Sequence, residues 1–108
     1  MATSTKTETL TLPASLSIRG MSVVHENLLA ALSQNDALAV EIDEDADADL
    51  SFIQVMESAR IYAQSQGKTL SLAKPANENV INTLRRGGFL TNMEEASRVF
   101  WLHGKDIQ

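Results

Sequence analysis

Residues 43–54 read Asp-Glu-Asp-Ala-Asp-Ala-Asp-Leu-Ser-Phe-Ile-Gln. Aspartates at alternate positions 43, 45, 47 and 49 offer oxygen ligands suited to a hard cation, and Ser51 offers a hydroxyl that can accept a phosphoryl group. A calcium loop of the EF-hand kind needs ligands at positions 1, 3, 5, 7, 9 and 12 and a glycine at position 6. Counting from Asp43 places Ala48 at the glycine position and Gln54 where a bidentate carboxylate belongs. Counting from Asp45 places Leu50 and Met56 there, so no metal ligand is assigned. An aspartyl-phosphate receiver is excluded on its first element, because the first strand-to-helix junction, Arg19-Gly20-Met21-Ser22, carries no acid. Residues 43–47 therefore read as an acidic, solvated connection.

The end of the run carries more. Ser51 followed by Gln54 matches a capping box, in which the serine would cap a helix and the glutamine would reach back to it. Asp49 lies just outside, where negative charge favours the positive end of a helix. The same hydroxyl at an exposed helix start is a candidate phosphorylation site, since a phosphate there would alter the field presented to a partner.

Elsewhere the chain is poor in chemistry. It has no cysteine, which removes thiol redox and zinc–thiolate sites. His25 and His103 have no nucleophile or acid spaced around them, and no Gly-rich phosphate loop is present. His25 falls on the polar side of a helix, and His103 receives no role. No catalytic residue and no cofactor is assigned, and the chain reads as a non-enzyme. A net charge of −5 argues against a nucleic-acid partner. Without an apolar run of about 20 residues there is no membrane insertion, and the polar start of the chain suggests a cytoplasmic protein.

These residues need a scaffold. The 108 residues, 44% hydrophobic, suit one domain with a real core. Residues 1–6 read as a flexible tail and 7–108 as the domain. Residues 7–12 alternate polar and apolar, Pro13-Ala14 breaks them, and 16–18 alternate again, which predicts a hairpin. Met21, Val24, Leu28, Ala31 and Leu32 recur at helical spacing, with Ser22 as a candidate N-cap. The short apolar run 37–42 predicts a buried parallel strand. A second helix is expected over 52–66, with Phe52, Val55, Met56, Ala59 and Ala63 inward and Gly67 just past its end. A strand over 69–73 follows. Pro75 then opens a third helix carrying Val80, Ile81 and Leu84, which Gly87-Gly88 stops. Phe89-Leu90 is expected to close the core, and residues 98–102 fit a last strand or helix. Arg85-Arg86 offset that third helix's dipole, and Trp101 seals the chain's own core. Alternating strands and helices give an α/β fold: a mixed, mostly parallel sheet of 4–5 strands with helices packed against it.

The order of strand 37–42, Asp49-Leu50-Ser51, the helix starting Phe52-Ile53-Gln54, then Gly67-Lys68-Thr69-Leu70-Ser71-Leu72 and a helix ending Arg86-Gly87-Gly88-Phe89 resembles the STAS domains, the anti-sigma factor antagonists. The resemblance covers residues 8–90. It implies a STAS-like bacterial signalling module that binds a GHKL-type serine kinase, an anti-sigma factor or a chemotaxis signalling protein, with phosphorylation releasing the partner. Asp49 falls on the family's aspartate, Leu50 on the usual phosphorylated hydroxyl, Ser51 on the second hydroxyl and Phe52 on a glycine. Leu50 cannot accept phosphate, so Ser51 becomes the candidate acceptor of a divergent branch associated with chemotaxis and two-component systems. The implied partner surface is Asp49, Leu50, Ser51, Phe52, Gln54 and Val55. The alternative that the resemblance carries is a structural subunit of a lipid-transport ATPase complex, in which Ser51 only caps.

Overall fold

The computed structural model describes residues 7–13, 15–16 and 18–104. The tail assigned to residues 1–6, the end of the domain at 105–108, Ala14 of the predicted turn and Ser17 of the predicted second strand lie outside the described residues.

Strands β1 (Glu8–Thr11), β3 (Ala37–Glu41) and β5 (Thr69–Leu72) form a parallel sheet in the order β1-β3-β5. Two short strands, β2 (Ser15–Leu16) and β4 (Asp47–Ala48), pair in parallel as a second ladder. Among the described residues the helices are α1 (Met21–Gln34), α2 (Leu50–Ser65), α3 (Glu78–Arg86) and α4 (Glu95–Leu102). The α/β class with helices against a parallel sheet is what the alternating pattern predicts; its strands divide three and two instead of lying in one sheet.

The predicted hairpin is not formed. The β1 strand pairs with β3 and β2 with β4, all in parallel. Pro13 interrupts the edge strand without reversing it. Leu12 N–H still donates to Glu41 O at 3.0 Å, and the chain then runs on beside the β3–β4 segment. Proline lacks the N–H that a continuous ladder needs, so a break here is as natural as a turn.

Residues that face each other across the ladders share a side of the sheet. Leu38, Val40, Leu70 and Leu72 are buried and Leu10 half-buried, and the register places all of them on one face. The other face carries Thr9, Thr11, Ala37, Ala39, Glu41, Thr69 and Ser71, none fully buried. The run 37–42 is therefore half-buried, not buried on both sides: small alanines at alternate positions kept it apolar without filling a second core. Met21, Val24, Leu28 and Leu32 of α1 and Phe52, Ile53, Met56, Ala59 and Ala63 of α2 form one core with the leucine face, and Val80 and Leu84 of α3 join it, with α3 packed on β4 and α2. Val55, expected on α2's inward face, is only partly buried, while Ile53 is fully so.

Helix ends follow local rules, with corrections at the starts of α1 and α3 here and of α2 below. Ser22 does not cap α1. A 3₁₀ turn over Ile18–Gly20 runs directly into the helix, so Gly20 occupies the N-cap place and no side chain caps it. Pro75 does not open α3. Asn77 is the N-cap, its Oδ1 accepting from Val80 N–H at 2.8 Å, which sets the first helical residue, Glu78, three residues past the proline. The stop after α2 is as expected. Gly67, at φ +70°, lets Lys68 N–H reach Ala63 O and Gly67 N–H reach Gln64 O, a Schellman closure. Gly88, at φ +78°, does the same after α3, and Phe89 and Leu90 then pack half-buried against the core.

The final segment is helical. Trp101 is wholly buried and meets Phe52 edge to face at 6.3 Å and Phe100 at 5.0 Å between ring centroids. Its indole N–H donates to Glu57 Oε2 at 2.7 Å, and Arg60 bonds Glu57 Oε1 at 2.7 Å and Ser97 Oγ at 3.1 Å. This cluster fastens α4 to α2. His103, assigned no role by sequence, directs Nε2 to Leu72 O at 3.0 Å; since a carbonyl only accepts, Nε2 carries the proton.

Candidate functional site

The acidic stretch is shaped rather than loose. Ala46 and Ala48 are buried while Asp43, Glu44, Asp45 and Asp47 are exposed. Over Ala46–Ala48 the alternation is the period of extended chain, alanines inward and Asp47 outward. Asp45 N–H donates to Asp43 Oδ1 at 2.8 Å and Ala46 N–H to Asp43 O at 3.0 Å, closing a turn. Asn77 Nδ2 then holds Asp43 O at 2.9 Å and Ala46 O at 3.3 Å, and Asn79 Nδ2 also reaches Ala46 O at 3.3 Å. The segment read as a solvated connection is thus pinned by the start of α3, and only its carboxylates are solvated. Among the described residues no group of three or more His, Cys, Asp or Glu side chains is placed to hold a metal ion.

At the start of α2 the cap belongs to Asp49, not Ser51. Asp49 Oδ1 accepts from Ser51 N–H at 3.0 Å and Phe52 N–H at 3.4 Å, and also from the Ser51 hydroxyl. Ser51 sits one full position inside the helix, Phe52 occupies the third helical position, and Gln54 is exposed, so no capping box forms. Asp and Ser are about equally good N-caps. What decides is the strand before them: Asp49 N–H donates to Leu16 O at 3.2 Å, which keeps Asp49 extended at φ −97°, ψ −178°, as an N-cap must be. A carboxylate there also meets the positive helix end. Replacing Asp49 with Ala is expected to lower stability by about 1–2 kcal/mol, with Asp49→Asn retaining most of it. Urea unfolding of the three proteins measures this, and equal midpoints for Ala and Asp would contradict the cap.

The predicted partner residues separate by exposure. Leu50 is 43% exposed, and Asp49 and Ser51 are half-buried at the surface. Gln54 is exposed and Val55 half-buried. Phe52 is fully buried, so its side chain supports the surface from beneath and is not presented. Leu50 rests on the end of α3, where its Cδ1 lies 2.9 Å from the place a Cβ on Gly87 would take, and Phe89 lies 3.0 Å from the same point. Sequence reasoning missed this seat, because Gly87 reads only as a helix stop. Thr83, buried beneath, ties α3 to β4 by donating to Ala48 O at 2.7 Å. His25 is exposed on α1, as expected. Arg85 and Arg86 lie in α3's last turn, bonded to Asn82 Oδ1 and Thr83 Oγ1.

Fold and site together define an α/β domain on a parallel sheet, with an aspartate-capped helix start held at its surface between a pinned acidic turn and an apolar seat. Comparison of the chain with protein-family models, curated proteins and solved structures finds no match in any of the three. Among the described residues, no helix is long and apolar enough to cross a membrane.

Proposed function

We propose that the protein is a STAS-type, non-catalytic bacterial signalling module that binds a serine kinase of GHKL type, or another signalling protein, through the start of α2. The observation that carries this reading is the Asp49–Leu50–Ser51 corner. An exposed apolar side chain stands beside a hydroxyl at a capped helix start, all on a rigid support. Leu50 supplies buried contact area to a partner, and Asp49, Ser51, Gln54 and Val55 surround it. Phosphorylation of Ser51 adds about 1.5–2 negative charges beside Asp49 and the acidic turn. That charge competes with Asp49 for the helix N–H groups and repels it, which favours release of the partner. The test is incubation with candidate GHKL kinases and ATP, followed by intact mass. One added phosphoryl group on the wild type and none on Ser51→Ala is the expected result. No phosphoryl group and no bound kinase would remove the switch.

The second reading, a structural subunit of a lipid-transport ATPase complex, is favoured by one fact. The Ser51 hydroxyl is already engaged by Asp49, so it serves the helix start without phosphorylation. Co-purification of an ATPase that persists with Ser51→Ala would select this reading over the first.

A further inference from the structure

The two edges of the three-stranded sheet differ. Leu12 N–H donates to Glu41 O, so in the parallel ladder residues 8, 10 and 12 of β1 direct their backbone groups to β3. The backbone N–H and C=O groups of Thr9 and Thr11 therefore point away from the sheet, and those of Thr7 continue the pattern. Thr7, Thr9 and Thr11 are all exposed. At the other edge, Ala73 N–H donates to Val40 O, so Leu70 and Leu72 of β5 point their backbone groups outward, the last of these being the Leu72 carbonyl. That carbonyl is capped by His103 Nε2, and α4 packs against β5. The β5 edge is partly covered, whereas among the described residues nothing pairs with the outward groups of β1.

Open edges in natural proteins are commonly guarded by lysine, proline or a covering element. Lysine and proline stand only at the ends of this edge, at positions 6 and 13, and residues 7–12 between them, Thr-Glu-Thr-Leu-Thr-Leu, are rich in a strand-favouring residue. We infer that the β1 edge binds the β1 edge of a second copy, antiparallel about a two-fold axis at Thr9. The register follows from which groups are free. Centred on Thr9, the residue and its copy exchange both bonds, and Thr7 does the same with Thr11 on each side. Centred on Thr11, Thr9 would face Pro13, which has no N–H to give. Centred on Leu10, Thr7 would face Pro13. The Thr9 register also sets Glu8 against Leu10, so the only charge in the strand never faces its own copy, and the outer face gains threonine pairs of the kind that stabilise ladders. The symmetry is closed, so association stops at the dimer and makes one continuous sheet.

The whole chain is tested by sedimentation from about 1 µM to about 1 mM, a range that captures weak association. A concentration-dependent dimer is expected. Thr9→Pro removes an outward N–H and none that bonds β3, so it should be monomeric. Thr9→Lys places like charges across the two-fold axis without touching the β3 ladder, and should weaken the dimer about tenfold or more. Amide exchange adds a residue-level readout: Thr9 and Thr11 should be protected at high concentration and exchange freely when dilute. A wild type that stays monomeric throughout, or a dimer unchanged in Thr9→Lys, overturns the inference.

Discussion

Trp101→Ala is expected to lower stability by about 3–5 kcal/mol, the range for a large buried aromatic truncated to alanine. The ring is wholly buried, packs edge to face on both Phe52 and Phe100, and carries the only indole in the chain. Its loss leaves a cavity between α2 and α4 and removes a donor from Glu57 Oε2. For a domain whose total stability is on the order of 5–15 kcal/mol, this approaches the whole margin. Trp101→Phe separates the two contributions. It keeps most of the packing and loses only the hydrogen bond, worth about 1–3 kcal/mol for a half-buried charged acceptor. Because the tryptophan is the natural fluorophore, the variants are followed by circular dichroism in urea. A Trp101→Ala midpoint near that of the wild type would mean that α4 is not fastened as described. The consequence reaches the candidate site, since Phe52 links the Trp101 cluster to the first turn of α2.

The second large effect concerns the acidic turn. Ala46→Asp is expected to cost about 3 kcal/mol or more, while Asp45→Ala is expected to change stability by less than about 0.5 kcal/mol. The two substitutions exchange the same residue types at neighbouring positions. Ala46 is wholly buried, and among the described residues a carboxylate there has no buried cation to pair with. Asp45 is exposed, and its structural bond is made by its backbone N–H, which alanine keeps. Thermal unfolding of both variants reads the contrast. Equal losses, or none, would restore the view of residues 43–47 as a solvated linker. The expected asymmetry follows from burial: Asp45 lies in the exposed turn, and Ala46 begins the extended run in which alanines face inward and Asp47 outward.

Several local features were legible because short-range chemistry decides them. Gly67 after α2 and Gly88 after α3 sit at positive φ, where glycine is nearly strain-free. The helical spacing of Met21, Val24, Leu28 and Leu32 marks the buried stripe of α1. The strand–helix alternation gives the parallel sheet. The errors occur where two local answers were nearly equal in free energy. Pro13 fits a turn or an interrupted edge, and Pro75 fits a helix start or the linker before it; residues 98–102 fit either periodicity, and the structure chooses the helix left open there.

The sequence by itself determined the α/β class, most of the helices and main strands and the helix stops, because propensity, periodicity and glycine's backbone freedom act within a few residues. Only the tertiary structure decided the start of α2. Ser51 and Asp49 are equivalent caps on paper, and the bond from Asp49 N–H to Leu16 O, made across 33 residues of chain, selects Asp49. The same holds for the acidic turn, whose shape comes from Asn77 and Asn79, and for Leu50, whose seat exists because Gly87 lacks a side chain. Each of these depends on a partner distant in sequence, and the free energy of such a contact is set by the packing that brings its two ends together.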